Sequence, residues 1–74
     1  MDGFEKIGSA GEIGSTIRKA RKMRGVTQEE LAEDVGCSPR LVSELERGRG
    51  SVGFDTVMKI CEAVGVVVWV GGGR

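Results

Sequence analysis

The sequence predicts a small all-α domain of four short helices, followed by one C-terminal β-strand with no partner strand in the chain. Three observations predict this architecture. Two capping boxes, a hydroxyl followed three residues later by a carboxylate at Ser9 to Glu12 and Thr27 to Glu30, each open an apolar repeat of helical period. Gly25, Gly36 and Gly65 stand where the repeats end, as helix C-termini require. Val66-Val67-Val68-Trp69-Val70, unlike every other segment, is a continuous β-branched and aromatic run.

Residues 1–8 hold glycine and charge with little periodicity and read as a flexible N-terminal tail; residues 9–65 form the helical domain, 66–70 the strand and 71–74 a short C-terminal tail. In the first helix Ile13, Ile17 and Ala20 recur at helical spacing. Gly14 within it costs about 1 kcal/mol relative to alanine, so the first turn is expected to fray or start late. The second helix opens with Glu29 and Glu30, which suit the positive end of the helix dipole, and lines one face with Leu31, Ala32 and Val35. Ser38 and Pro39 are a cap and a first-turn proline, starting a third helix whose inward positions are Val42 and Leu45. Val52 and Val57 bracket a Gly53 cap at hydrophobic-staple spacing, and Val57, Ile60, Cys61 and Val64 give the fourth helix its apolar stripe.

Composition narrows the function. Hydrophobic residues are 39% of the 74 and charged residues 30%, so the core is thin and an oligomer would help it. Eleven Lys+Arg balance eleven Asp+Glu, which argues against a wholesale polycation. The charges are segregated, however: Arg18, Lys19, Arg21, Lys22 and Arg24 crowd the first helix, and Glu29, Glu30, Glu33 and Asp34 the second. The chain has no histidine, which removes histidine metal sites and histidine acid–base chemistry, and its two cysteines form no CxxC. No nucleophile and base can be paired, so neither an enzyme, a metal nor a cofactor is expected. No apolar run reaches the roughly 18 residues that span a bilayer, and a cytoplasmic protein is expected.

The junction of the second and third helices is the informative feature. Between Gln28 and Arg47, the small Ala32, the bend residue Gly36 and the apolar anchors Val42 and Leu45 are what two short helices need to cross steeply over a tight turn. Leu31, Val35 and Cys37 supply the remaining apolar positions. Such a helix-turn-helix exposes the outer face of its second helix, which can enter a DNA major groove.

The stretch IRKARKMRGVTQEELAEDVGCSPRLVSELERGRGSVGFDTVMKICEAVGV resembles the Cro/phage-repressor (XRE-like) helix-turn-helix family, with RKxRxxxGxTQEELA, GCSP and SELERG in register. The resemblance implies a four-helix, lambda-repressor-like domain that regulates transcription, as a repressor, by binding a palindromic operator on double-stranded DNA as a homodimer. The chain is particularly similar to HipB-type antitoxins, where a C-terminal strand pairs across the homodimer and a cognate toxin is a further partner. Phage repressors usually carry a fifth helix there, and VVVWV followed by GGG departs from that pattern. A stand-alone phage-type or restriction-modification-control regulator, or a protein acting mainly by neutralising a toxin, stands as the alternative.

By the same resemblance Gln28 matches a phosphate-binding glutamine that braces the recognition helix. Ser38, Pro39, Arg40, Ser43 and Glu44 match positions facing base edges or the groove, and Arg47 and Arg49 lie in a loop that touches phosphate. Arg21 and Glu46 match an internal ion pair, and Val66, Val67, Val68, Trp69 and Val70 the dimer strand. The side-chain chemistry agrees in part: Arg40 can bond guanine O6 and N7 together, and Glu44 can accept from cytosine N4. Pro39 has no backbone donor. Arg40 and Glu44, four apart on one helix, can equally pair with each other as surface charge. Arg18, Lys19, Lys22 and Arg24 are either a solvated face or further phosphate contacts, and Cys37 and Cys61 read as small buried hydrophobes.

Overall fold

Four α-helices follow one another in the computed structural model, which describes residues 10–49 and 51–67. They are α1 (Ala10–Met23), α2 (Gln28–Val35), α3 (Pro39–Glu46) and α4 (Phe54–Ala63). Local chemistry sets most boundaries. At α2 the capping box is complete: Thr27 Oγ1 accepts from the Glu30 amide at 3.0 Å, and Glu30 Oε1 accepts from the Thr27 amide at 2.9 Å. Ser38 Oγ accepts from the Leu41 amide at 3.1 Å at the start of α3, and Pro39 needs no partner there because it has no N–H. Gly53 caps α4 without a side-chain hydrogen bond; Val52 and Val57, on either side of it, pack against the core.

Gly36, Cys37 and Ser38 form the turn between α2 and α3. Gly36 has φ +79°, a left-handed conformation in which a Cβ would be strained, and it lets the Gly36 and Cys37 amides both donate to Ala32 O at 2.9 Å. That turn folds α3 back on α2. Ala32, 1% exposed, is small enough for the helices to approach, and Ile17, Leu31, Val42, Leu45, Ile60, Cys61 and Val64 complete the buried core. Each helix therefore contributes its apolar stripe to one cluster, with Leu41 and Val35 packed at its margin.

One expectation needs correction. α1 neither frays nor starts late at Gly14: the helix runs unbroken from Ala10, and Gly14 is buried. A Cβ at Gly14 would collide with the carbonyl oxygen of Leu45 and lie 2.8 Å from that of Glu46, so glycine is what lets α1 press directly against the C-terminal end of α3. Of the strand expected at 66–70, only Val66 and Val67 are among the described residues. There is no strand among the described residues; the Val66 amide donates to Cys61 O at 2.8 Å and finishes the end of α4, Val66 packs against the core, and Val67 is exposed. Val68, Trp69 and Val70 of the expected strand lie outside the described residues, as do the tails at 1–8 and 71–74 and the Ser9 cap.

The Gly14 contact makes a prediction opposite to helix propensity. Gly14→Ala should lower stability by about 1–3 kcal/mol through overpacking, although alanine is the better helix former. Urea unfolding measures it, and a variant more stable than the parent would show that α1 and α3 do not meet this closely.

Candidate nucleic-acid interface

The charged side chains of α1 separate into distinct jobs. Arg21 lies on the inner face and is buried, as is Glu46, the last residue of α3. Its guanidinium grips the carboxylate with two parallel hydrogen bonds, Nε to Oε2 at 2.6 Å and Nη2 to Oε1 at 3.0 Å. Nη1 reaches the carbonyl of Val26 at 2.8 Å, in the turn before α2. Gln28, the first residue of α2, donates from Nε2 to Glu46 Oε1 at 3.1 Å. One carboxylate thus ties α1, α2 and α3 together.

Burial alone would push the Glu46 carboxyl up. The hydrogen bonds from Arg21 and Gln28, with the charges of Arg21 and Arg18, outweigh it and hold the group below the usual carboxylate range. The same hydrogen bond to Glu46 raises Arg21 against the opposing effect of its own burial.

Above this network lies an open polar hollow of about 290 Å³, lined by Arg18, Gln28, Ser43, Glu46 and Arg47. Arg21 already neutralises Glu46, so the surplus charge in the hollow is that of Arg18 and Arg47 and suits an anion. The sequence pattern pointed to Gln28, Ser43 and Arg47, and the fold brings them together here. Arg18 was not distinguished from its neighbours in the cationic run; the only signal for it was membership in that run. Lys19 and Lys22 are exposed. Arg24 is committed elsewhere, donating from Nε to Val64 O at 3.0 Å across the end of α4.

The outer face of α3 begins beside the hollow. Ser38, Pro39 and Arg40 are exposed and Ser43 and Glu44 half-exposed. Ser38 Oγ accepts from the helix it caps, and Arg40 Nε donates to Glu44 Oε2 at 3.3 Å, so the two candidate base readers face each other. Arg49 is exposed past the end of α3, its amide donating to Glu44 O at 2.8 Å. None of Ser38, Pro39, Arg40, Glu44 or Arg49 lines the hollow. Burial raises the thiols of Cys37 and Cys61, leaving them protonated and unactivated. Among the described residues there is no cluster that could hold a metal ion, and no helix is long and apolar enough to cross a membrane.

A short three-residue turn between two helices packed on each other, with a polar outer face on the second, defines a helix-turn-helix protein. Residues 17–66 match the family model described as Helix-turn-helix, and the chain belongs to this family, of the XRE type. It is 45% identical over 49 residues to an uncharacterized HTH-type transcriptional regulator of Methanothermobacter thermautotrophicus, covering 66% of this chain and 71% of that one. The crystal structure of the clp gene regulator ClgR from Corynebacterium glutamicum superposes with a TM-score of 0.71 at 40% identity, over 77% of this chain and 61% of that one. The chain thus spans less than two thirds of that ClgR chain. HipB, in a HipB-O4 20mer complex and in a HipA-HipB-O2-O3 complex, superposes with TM-scores of 0.79 and 0.80 at 24% identity, over 96% of this chain and 100% of the matched chain. At that identity the likeness to HipB is one of fold.

The buried pair makes a stability prediction with a definite sign. Arg21→Ala should destabilise by roughly 3–5 kcal/mol, because Glu46 is left buried and charged. The folded pKa of Glu46 lies below its unfolded value of about 4.3, so its contribution is complete above that pH and is lost as pH falls through the folded value. Parent stability should therefore fall more steeply below about pH 4 than that of Glu46→Gln. Parallel acid limbs in urea titrations would contradict the assignment.

Proposed function

We propose that the chain is a sequence-specific DNA-binding transcriptional repressor that binds a palindromic operator as a homodimer, and that it is a HipB-type antitoxin autoregulating its own operon. The observation that carries DNA binding is the arrangement around α3: a polar outer face with Arg40, Ser43 and Glu44, flanked by a hollow with surplus positive charge. In this reading Ser38, Pro39, Arg40, Ser43 and Glu44 enter the major groove, and Gln28, Arg47 and Arg49 meet backbone phosphate, joined by Arg18 from the hollow. Gln28 Nε2 gives one N–H to Glu46, which leaves its second N–H as the donor for phosphate beside the adjacent arginines of the hollow.

The organisation proposed is a tail at 1–8, the DNA-binding domain at 9–65, a dimerisation strand at 66–70 and a C-terminal tail at 71–74. Pairing of Val66 to Val70 with the twofold-related copy would satisfy the hydrogen bonds of a lone strand and set the separation of the two recognition helices. Uncovered apolar surface at both ends of α4 supports self-association: Phe54 is 66% exposed and Val67 73%. The fold likeness to HipB, solved with HipA, supports a toxin partner. The higher identity to ClgR favours a second reading, a stand-alone regulator. A toxin gene beside this one would decide for the first.

Selection from a random DNA pool tests the proposal. Enrichment of an inverted repeat with half-sites centred about 10 base pairs apart is expected. With about six phosphates contacted, log affinity should fall with log salt at a slope near −5. Deleting residues 66–74 should give a monomer with much weaker operator binding. An unenriched pool with salt-insensitive binding would refute DNA recognition, and a truncated chain still dimeric with full affinity would move the interface elsewhere.

A further inference from the structure

Arg40 and Glu44 stand one helical turn apart on the outer face of α3, with Arg40 Nε donating to Glu44 Oε2 at 3.3 Å. The side chains are 86% and 40% exposed. Exposed pairs at this spacing add little to stability, so the fold does not require it. The geometry of the contact is more informative. A guanidinium offers five N–H donors on three nitrogens in one plane, along two usable edges: the side edge, Nε with one terminal nitrogen, and the end edge, Nη1 with Nη2. A carboxylate on Nε occupies the side edge. The end edge has no partner among the described residues, and its two parallel donors match guanine O6 and N7.

We infer that Glu44 is a positioning residue for Arg40, holding the guanidinium with its end edge turned outward, rather than an independent reader of cytosine. This rests on the proposed role of α3 as the DNA-reading helix. A free arginine side chain samples many rotamers, and ordering it opposes binding; tethering Nε to the next turn removes part of that entropy beforehand. The carboxylate also discriminates. Close to phosphates it is repelled, and Arg40 offsets the repulsion only while the two stay paired. A base that draws Arg40 away leaves Glu44 unpaired in the groove, and one that offers no acceptor leaves the end edge of Arg40 unmet.

Base preferences at every operator position test this in the parent, Arg40→Ala, Glu44→Ala, Glu44→Gln and the Arg40→Ala/Glu44→Ala double variant. Glu44→Ala and Glu44→Gln should each weaken, by about tenfold, the preference at the same base pair that Arg40→Ala abolishes. The double variant should lose no more than Arg40→Ala alone. Melting of the Glu44 variants should match the parent, and their binding to random DNA should be equal or tighter, since an acidic charge has gone. Loss of preference at a different base pair, with the Arg40 position intact, would make Glu44 an independent reader and overturn the inference. Unchanged preferences everywhere would overturn it too, reducing the pair to surface charge. A parent that selects no sequence refutes the DNA-reading role itself, and that result is visible before any variant is made.

Discussion

The bond between Arg21 and Glu46 is the constraint on which the arrangement of the other parts depends. Apolar packing pulls the four helices together but has no direction: Ile17, Val42, Leu45 and Ile60 would be buried in many relative orientations of α1 and α3. A buried carboxylate and a buried guanidinium have few acceptable arrangements, because an unpaired charge in the interior is very costly. Here the fork of Arg21 meets both oxygens of Glu46 while the remaining terminal nitrogen takes Val26 O, and Gln28 adds a third donor to the carboxylate. The first helix, the turn after it, the first residue of α2 and the last of α3 are thereby fixed relative to one another. Gly14 acts at the same place, its bare backbone letting α1 lie on the carbonyl oxygens of Leu45 and Glu46.

What this fixes is the attitude of α3. With Val42 and Leu45 drawn inward and Glu46 tied at the C-terminal end, Arg40, Ser43 and Glu44 are left on the outside without any direct contact needed to place them there. The hollow of Arg18, Gln28, Ser43, Glu46 and Arg47 is the outward side of the same network. Gln28 belongs to both: its nitrogen serves the buried carboxylate and its side chain lines the hollow. Structural bracing and the candidate anion seat therefore share residues, and a change at one is expected to reach the other.

Features set by neighbours in sequence could be read without a structure. The Thr27 capping box, the Ser38 cap with Pro39 at the first turn, and the apolar stripes of all four helices depend on residues three or four apart, and the family pattern located Arg21 and Glu46. Features set by distant contacts could not. Gly14 looks like a defect until the end of α3 is seen against it. Within the cationic run of α1, Arg21 is buried, Arg18 lines the hollow and Arg24 caps α4 at Val64, and nothing local to the run separates Arg18 from Arg24. Val66 sits in a run of β-formers, yet its amide closes α4 and its side chain joins the core, because the helix end left a carbonyl to satisfy at Cys61.

The central claim, that a buried charge network sets the orientation of α3, the helix proposed to read DNA, is tested most directly by replacing the pair with apolar residues of similar size, Arg21→Met with Glu46→Leu, and measuring operator selectivity beside the melting temperature. Removing both charges together avoids leaving either unpaired, so the variant should fold and melt near or above the parent. If the network directs α3, the preference for the selected operator over random DNA should still fall by about tenfold or more, because packing alone no longer holds one orientation. A folded double variant with the parent's full selectivity would contradict the account and leave the orientation of α3 to its apolar contacts.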